Sequence, residues 1–265
     1  MIINKKRVQK LMAEGKRLDG RGLTDYRGPI EIEVGGVKTA EGFAKVRIGE
    51  TVVMAGVKLG LEKPYPDTPE DGGIMVNCEL TPLSSPEYES GPPGMKAVEI
   101  ARVIDRGIRE SHAIDTKKLC IEKGEKAWFV MVDIISINDA GNMFDAAGLA
   151  VLAALNDTRL RDFDPVTGVV DYKSKTDNKL PMTKQAIPIT VYKLGDKLFV
   201  DPSSEEEHCY DAKLIVGSDD KGIISALQKG GDTPISVEDV EAIVDIALEK
   251  SAMLRKVFKK ALKLK

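Results

Sequence analysis

The amino-acid sequence predicts an α+β protein built from two domains, each with a sheet followed by a helix. Three observations lead to this prediction. Apolar and charged residues alternate from position 30 and are followed by Gly35-Gly36, which is typical of antiparallel strands joined by a hairpin. Apolar residues then recur at helical spacing over 95–112. The same order of strands and helix is repeated between 187 and 265.

Length and charge restrict the class of protein. With 265 residues, of which 42% are hydrophobic, the chain can bury a full core. Its 39 basic and 42 acidic side chains give a net charge of −3, so any site for a polyanion must be a local patch. The three cysteines match no zinc or disulfide spacing, and we find neither a signal peptide nor an apolar run of about 20 residues. We therefore expect a cytoplasmic protein with no membrane partner.

Changes in residue pattern divide the chain into four parts. Residues 1–27 are expected to form a short helix and a polar arm, in which the arginines of Arg17-Leu18-Asp19-Gly20-Arg21 have no predicted partner. Residues 28–162 are expected to form the first domain, which begins with an antiparallel meander. The polar, turn-rich segment 163–186 is predicted to be a linker, and 187–265 to be the second domain.

Three arginines follow one side of the helix predicted over 95–112. Arg102, Arg106 and Arg109 recur at i, i+4 and i+7, so their side chains can point the same way. A row of guanidinium groups in this arrangement can bind phosphates. The alternative is a solvated face on which acidic residues of the same helix pair with the arginines, and such exposed pairs are common.

The segment from Trp128 to Leu155 is predicted to form the centre of the first domain. The apolar run over 128–137 is typical of a strand covered on both faces. The turn 138–142 follows it, and a helix with Gly148 as a point of close packing comes next. Such a turn directs backbone N–H groups and the positive end of a helix dipole to one point, which suits a phosphate. An ordinary capped helix is the other interpretation.

A cluster of carboxylates lies early in the second domain. It consists of Asp201, Glu205, Glu206, Glu207 and Asp211, with His208 among them. Hard oxygen ligands at short spacing could hold Mg²⁺, although an exposed acidic loop would show the same pattern. The sequence has no phosphate loop, nucleophile elbow or His-Glu-x-x-His motif, so it offers no other recognisable catalytic site.

Several motifs together resemble one family, the RNase PH-like phosphorolytic exoribonucleases. Residues 17–21 resemble the family's Arg-x-Asp-Gly-Arg motif, and Gly49-Glu50-Thr51-Val52-Val53 resembles its Gly-x-Thr-x-Val strand entry. The resemblance follows motif order along nearly the whole chain and implies two domains of the RNase PH type. In active members, the strand–turn–helix unit carries Gly-Ser/Thr-Arg for inorganic phosphate. The second domain carries Glu-Asp and a further aspartate for metal and catalysis.

This sequence departs from the active pattern in both places. Gly141 is kept, but Asn142 stands in place of the hydroxyl residue and Met143 in place of the arginine, so no cation is expected to face the phosphate. In the acidic cluster, Glu206-Glu207 resembles the Glu-Asp pair, but Lys213 stands in place of the second aspartate. Because an ammonium group cannot ligate Mg²⁺, the resemblance implies that the phosphate site and the metal site are both degenerate.

The sequence most resembles the non-catalytic members of this family, which alternate with a catalytic paralogue in the six-membered ring of the archaeal exosome. The resemblance implies a chain that is inactive alone, structures the partner's active site and contributes RNA binding to 3′-to-5′ phosphorolysis. Arg102 and Arg106, followed by Arg109, match the helix whose arginines help to bind RNA. The expected partners are the catalytic paralogue, RNA-binding cap subunits and single-stranded RNA. Mg²⁺ and inorganic phosphate are expected at the partner's site, with no cofactor bound by this chain.

Two other functions stay open at this point. A self-sufficient metal-dependent phosphorolytic nuclease would use Glu206, Glu207 and Asp211, although Met143 and Lys213 argue against it. An RNA-binding module without a nuclease partner would stack bases on exposed aromatic side chains, yet aromatics make up only 5% of the chain.

Overall fold

The first domain is built on a six-stranded sheet. The computed structural model describes residues 5–164 and 167–264, without the side chains of 173–175. The strands of this sheet are β1 (Ile30–Val34), β2 (Gly42–Ile48), β3 (Thr51–Glu62), β4 (Gly73–Glu79), β5 (Cys120–Glu122) and β6 (Lys126–Asn138). The strand order is β1-β2-β3-β6-β4, and β5 also pairs with β6. The predicted antiparallel meander is confirmed as β1, β2 and β3, and β6 runs parallel to β4.

The central strand β6 is covered on both faces only in its first half. There the ring of Tyr65, from the loop before β4, meets the ring of Phe129 edge-on at 5.7 Å. Beyond that point burial alternates, because Val132 and Ile134 face the core whereas Asp133 and Ile135 are exposed. The expectation of a strand covered on both faces is therefore wrong for the second half of β6. A continuous apolar run does not distinguish a strand covered on two faces from a strand covered on one.

Among the described residues, five helices accompany the sheets: α1 (Lys5–Ala13), α2 (Met95–Glu110), α3 (Met143–Asp157), the single turn α4 (Ser204–Glu207) and α5 (Val237–Leu262). The short 3-10 turn Thr116–Leu119 precedes β5. In α3 every residue from Met143 to Leu155 is buried, which is expected of a helix enclosed on all sides. Within the described part of the chain, no helix combines the length and the apolar content needed to cross a membrane.

A β-hairpin begins just before the segment predicted to be a linker and extends through much of it. Strands β7 (Arg159–Asp164) and β8 (Val169–Lys179) pair antiparallel as a separate two-stranded sheet. Leu160, Phe163 and Val170 pack partly against the main core. The sequence did not reveal these strands because most side chains of the hairpin are polar, so the alternation that marks a half-buried strand is weak.

The second domain has a four-stranded antiparallel sheet, and its predicted hairpin is confirmed. The strands are β9 (Ile187–Leu194), β10 (Lys197–Val200), β11 (Ala212–Ser218) and β12 (Ile224–Gly230), in the order β10-β9-β11-β12. Ser236 caps α5 in a capping box with Asp239, as its position before the helix predicts. A single hydrophobic core joins both domains, because α3 packs on β2 and β3 of the first sheet and on β9 of the second.

The N-terminal arm belongs physically to the second domain. Val8 and Met12 of α1 pack against Tyr192 and Phe199, which point out of the second sheet on the side away from the main core. The chain therefore crosses from the second domain to the first between α1 and β1. This crossing brings the arginine-rich residues that follow α1 to the junction of the domains.

Candidate functional site

The three arginines of α2 have different surroundings. Nη1 of Arg106 donates to Oε1 of Gln228 on β12 at 2.7 Å. Arg109 instead pairs with Asp105 one turn earlier, at 3.1 Å, as the solvated-face alternative describes. The side chain of Arg102 is exposed and forms no hydrogen bond or ion pair with residues of the described ranges. Arg102 and Arg106 therefore keep guanidinium N–H groups for an external anion, since one guanidinium carries five donors.

The helix that carries these arginines is anchored in the core. Ala97, Ala101, Ile104 and Ile108 are buried, so the predicted apolar stripe is confirmed as core. The helix packs against β4 and α3 on one side and against β12 on the other. Of the three arginines, Arg106 lies at the junction between the two domains, through its bond to Gln228.

The turn before α3 points its distinguishing side chains inward. Gly141 has a φ of 99°, and a Cβ there would lie 2.5 Å from the carbonyl oxygen of Pro202, so only glycine fits. Asn142 is fully buried in the left-handed region with a φ of 58°. Its Nδ2 donates to Asp145 at 3.1 Å and to Asp201 at 2.9 Å. Met143 is also fully buried.

A cation from another segment, Arg27, lies beside this turn, although the motif itself supplies none. Arg27 donates to the carbonyl oxygens of Ala140 and Gly141 at 2.5 and 2.9 Å. Its Nη2 also lies 2.8 Å from Oδ1 of Asp201, whose carboxylate is fully buried. The cation comes from a segment more than 100 residues away in the sequence, which the local motif could not reveal. Because this guanidinium is held by a carboxylate and two carbonyl oxygens, it is already engaged within the chain.

Asp145, in the first turn of α3, is the centre of a buried polar network that sequence reasoning missed. Its carboxyl group accepts hydrogen bonds from the hydroxyl of Tyr26 at 2.6 Å and from the backbone N–H of Thr190 at 2.8 Å. Burial raises the pKa of Asp145 to about 7, against the effect of these bonds. The available signal was an aspartate in the first turn of a helix whose other residues up to Leu155 are apolar, because buried carboxylates need partners.

Glu206, the first residue of the predicted metal pair, is an internal ion-pair partner. Its carboxylate forms a two-point contact with Arg17, from Nε to Oε1 at 2.9 Å and from Nη2 to Oε2 at 2.5 Å. The two side chains are 0% and 1% exposed. Burial acts to raise the pKa of Glu206, but the hydrogen bonds and charge of Arg17 lower it below its ordinary value. Arg17 is therefore not free, contrary to the sequence-based expectation.

The same carboxylate also caps α4. Ser203 and Glu206 form a capping box around the helix end, within what the sequence showed only as an acidic loop. The signal was present in the sequence, since serine followed three residues later by glutamate is the signature of this cap. Both oxygens of Glu206 are thus used within the protein.

Lys213 lies inside the protein rather than on its surface. The residue is 5% exposed, and its Nζ lies 3.1 Å from Oε1 of Glu99 on α2. The same ammonium group sits 4.0 Å from the centroid of the Phe144 ring, which favours a cation–π contact. A cation of the chain itself therefore occupies the position that the active pattern gives to a metal-binding aspartate.

Glu207 and its neighbours form a further internal network. Glu207 accepts a hydrogen bond from the hydroxyl of Tyr192 at 2.7 Å and lies 3.9 Å from Nζ of Lys96. Burial opposes the charge on Lys96, but Glu207 and Asp139 raise its pKa above the ordinary value. Sequence reasoning did not single out Lys96, because a lysine near the start of a helix carries no distinctive pattern.

These residues do not fit a magnesium ion. Asp211, which a self-sufficient nuclease would use, instead pairs with Lys5 at 2.6 Å and accepts the backbone N–H of Gly195. Over residues 5–164 and 167–264, no three histidine, cysteine, aspartate or glutamate side chains are grouped as metal ligands. Glu206 is neutralised by Arg17, and Lys213 adds a positive charge where a divalent ion would need a negative one.

Known proteins are similar to this chain over most of its length. Residues 27–161 match the 3′ exoribonuclease family, domain 1, and residues 184–250 match domain 2 of the same family. A protein of Methanosarcina acetivorans named exosome complex component Rrp42 is 44% identical over 253 residues, which cover 96% of this chain and 92% of that protein. A protein of the same name from Methanothermobacter thermautotrophicus is 42% identical and covers 95% of this chain and 93% of its own length.

A solved structure is similar over the same length. One chain of the Archaeoglobus fulgidus exosome with RNA bound to the active site is 40% identical and superimposes with a TM-score of 0.88. The match covers 96% of this chain and 97% of that one. The similarity therefore extends through both domains and their junction.

Proposed function

Because the chain belongs to the 3′ exoribonuclease family of RNase PH-like proteins, we propose that it is a non-catalytic subunit of an exosome ring. In this role it structures the active site of a catalytic paralogue and contributes RNA binding to 3′-to-5′ phosphorolysis. The observation that carries the proposal is the buried ammonium group of Lys213, at 3.1 Å from Glu99. An ammonium group offers no lone pair to a metal, so this chain cannot complete the metal site of the active pattern.

The phosphate half of the chemistry is impaired independently. Met143 stands where active members carry an arginine, and its side chain is fully buried. The nearby cation, Arg27, is already bound to Asp201 and to two carbonyl oxygens. Transition-state stabilisation in phosphorolysis needs charge that is placed at the reacting phosphate. The proposal therefore assigns Mg²⁺ and inorganic phosphate to the paralogue.

The contribution of this chain is the binding of single-stranded RNA through Arg102 and Arg106. Both lie on one face of α2. Arg102 is bound to none of the described residues, and Arg106 keeps N–H donors beyond the one bonded to Gln228. Guanidinium groups bind phosphate oxygens without reading bases, so the contribution is independent of RNA sequence. The proposal also includes RNA-binding cap subunits on the ring and a cytoplasmic location. The location is supported by the free thiols of Cys78, Cys120 and Cys209, which suit a reducing compartment.

Reconstitution with a catalytic RNase PH-like paralogue tests the proposal. The isolated chain, supplied with single-stranded RNA, Mg²⁺ and phosphate, should release no nucleoside diphosphates above the level of a Glu207→Ala control. Mixing with the paralogue should produce a closed ring of alternating subunits, seen as a single mass by light scattering. Phosphorolysis should then depend on the paralogue's own catalytic residues.

Three results would contradict the proposal. Release of nucleoside diphosphates by the pure chain, with the Glu207→Ala variant inactive, would make the chain an enzyme in its own right. If light scattering after mixing still shows only the masses of the separate components, the two proteins do not form a ring. If the chain binds RNA tightly without any paralogue and also fails to assemble with one, it would instead be an RNA-binding module without a nuclease partner.

A further inference from the structure

We infer that Gln228 is a positioning residue that holds Arg106 in the orientation in which it binds an RNA phosphate. The inference rests on the proposed function and identifies a contribution of the second domain to it. Arg106 belongs to α2 of the first domain, whereas Gln228 belongs to β12 of the second. The contact between them joins residues 122 positions apart.

The geometry of the contact leaves the guanidinium able to bind a second partner. Nη1 of Arg106 donates to Oε1 of Gln228 at 2.7 Å, a short hydrogen bond for an N–H donor. The amide acceptor is neutral, so the arginine keeps its full charge for a phosphate, unlike Arg109, which Asp105 neutralises. The Gln228 amide has a second contact, because its Nε2 donates to the carbonyl oxygen of the adjacent Lys229 at 3.2 Å.

Gln228 lies where it can orient the Arg106 side chain before RNA binds. The cleft between α2 and the second sheet is lined by Val103, Gly107 and Pro188 next to the Arg106–Gln228 pair. A long arginine side chain loses much rotamer freedom when it binds a ligand, and prior orientation removes part of that cost. Arg102 has no comparable support among the described residues, so the two arginines should contribute differently to RNA affinity.

A double-mutant cycle in the reconstituted ring tests the inference. The variants are Gln228→Ala, Arg106→Ala and the double variant. Ser225→Ala is a control on the same strand, since among the described residues its hydroxyl bonds to the carbonyl of Gly217 on the neighbouring strand and not to α2. RNA affinity is measured at several salt concentrations, and the thermal midpoint of each variant is recorded. Gln228→Ala should weaken binding about threefold to tenfold, which is the cost of ordering one flexible side chain.

The salt dependence separates positioning from phosphate binding. Gln228→Ala should keep the wild-type slope of log affinity against log salt, because the guanidinium still reaches its phosphate. Arg106→Ala should make the slope shallower by about 0.7. In the Arg106→Ala background, Gln228→Ala should have no further effect, because there is no guanidinium left to position.

The possible failures can be told apart. If Arg106→Ala leaves RNA affinity and slope unchanged, the proposed RNA site is wrong. If Arg106→Ala weakens binding but Gln228→Ala does not, only the positioning role is wrong. Equal losses from Gln228→Ala in both backgrounds, with a lowered thermal midpoint, would assign Gln228 to the stability of the domain junction instead.

Discussion

The Nζ atom of Lys213 lies 3.1 Å from Oε1 of Glu99 and 4.0 Å from the centroid of the Phe144 ring. This relationship ties β11 of the second domain to α2 and α3 of the first. Lys213 therefore also has a structural role, because its charge and its alkyl chain both take part in contacts between the two domains.

Lys213→Asp should lower stability without restoring activity. The new carboxylate would be buried beside Glu99 and would lose the contact with the Phe144 ring. We expect a loss of about 2–4 kcal/mol in the free energy of unfolding, less than for a fully enclosed pair because 33% of the Glu99 side chain is exposed. Urea unfolding measures the loss. Lys213→Met, which keeps the alkyl volume, should lose less, and phosphorolysis by the isolated Lys213→Asp chain would refute this reading.

Glu206→Gln should destabilise the chain more than Glu207→Gln. The first change leaves the Arg17 guanidinium buried beside a neutral amide, at a cost of about 3–5 kcal/mol. The second removes a charged acceptor for the Tyr192 hydroxyl, which is worth about 1–3 kcal/mol. Thermal or urea unfolding of both variants checks the order. A stabilising effect of millimolar Mg²⁺ that disappears in Glu206→Gln would show instead that this carboxylate binds metal.

Asp145 should make stability fall as pH rises. Burial raises the pKa of Asp145 from its ordinary value of 3.8 to about 7, so between these values the folded chain holds a proton that the unfolded chain has released. The contribution of Asp145 to stability is fully present below pH 3.8 and is lost as pH rises through about 7. Between these pH values the free energy of unfolding should fall by up to about 1.4 kcal/mol per pH unit. Asp145→Asn cannot titrate, so its free energy of unfolding should decline less than that of the wild type over this range. Parallel curves for the two proteins would contradict the shift.

Arg102→Ala/Arg106→Ala should weaken RNA binding similarly for RNAs of different sequence. Each lost phosphate contact should reduce the slope of log affinity against log salt by about 0.7. In the ring, the defect should appear mainly as a raised KM, because the reacting phosphate and metal belong to the paralogue. Arg109→Ala is the control for each single variant, since it removes one arginine charge from the same helix but from a side chain paired with Asp105. A collapse of kcat with unchanged affinity would assign the two arginines to catalysis or assembly.

Gly148→Ala should strain the contact between α3 and β9. A Cβ at this position would lie 2.2 Å from Cγ of Pro188, and a proline ring on a packed strand has little room to move. Overpacking of this kind costs about 1–3 kcal/mol in the free energy of unfolding. Gly56→Ala on β3 is the control, because a Cβ there meets nothing within 4 Å, so its stability should be equal or slightly higher. Equal stability of the two variants would contradict close packing at Gly148.

The sequence by itself determined the principal strands and helices, the two-domain plan and the residues that replace the active motifs. These features are local, because the period of apolar residues and the identity of a residue need no partner to be read. The stripe from Ala97 to Ile108, the turn at Gly141 and the cap at Ser236 all follow from such patterns. The polar hairpin β7–β8 escaped prediction because its strands bury too few side chains to leave a clear period.

Only the tertiary structure decided which charged groups are free and which are bound. Arg17 meets Glu206 across 189 positions and Arg27 meets Asp201 across 174, so local spacing could not assign either partner. The same holds for Arg106 and Gln228, which the packing of α2 against β12 brings together. A charge buried by packing must find a partner wherever the fold supplies one, and that partner is fixed by the arrangement of the sheets and not by the order of the residues.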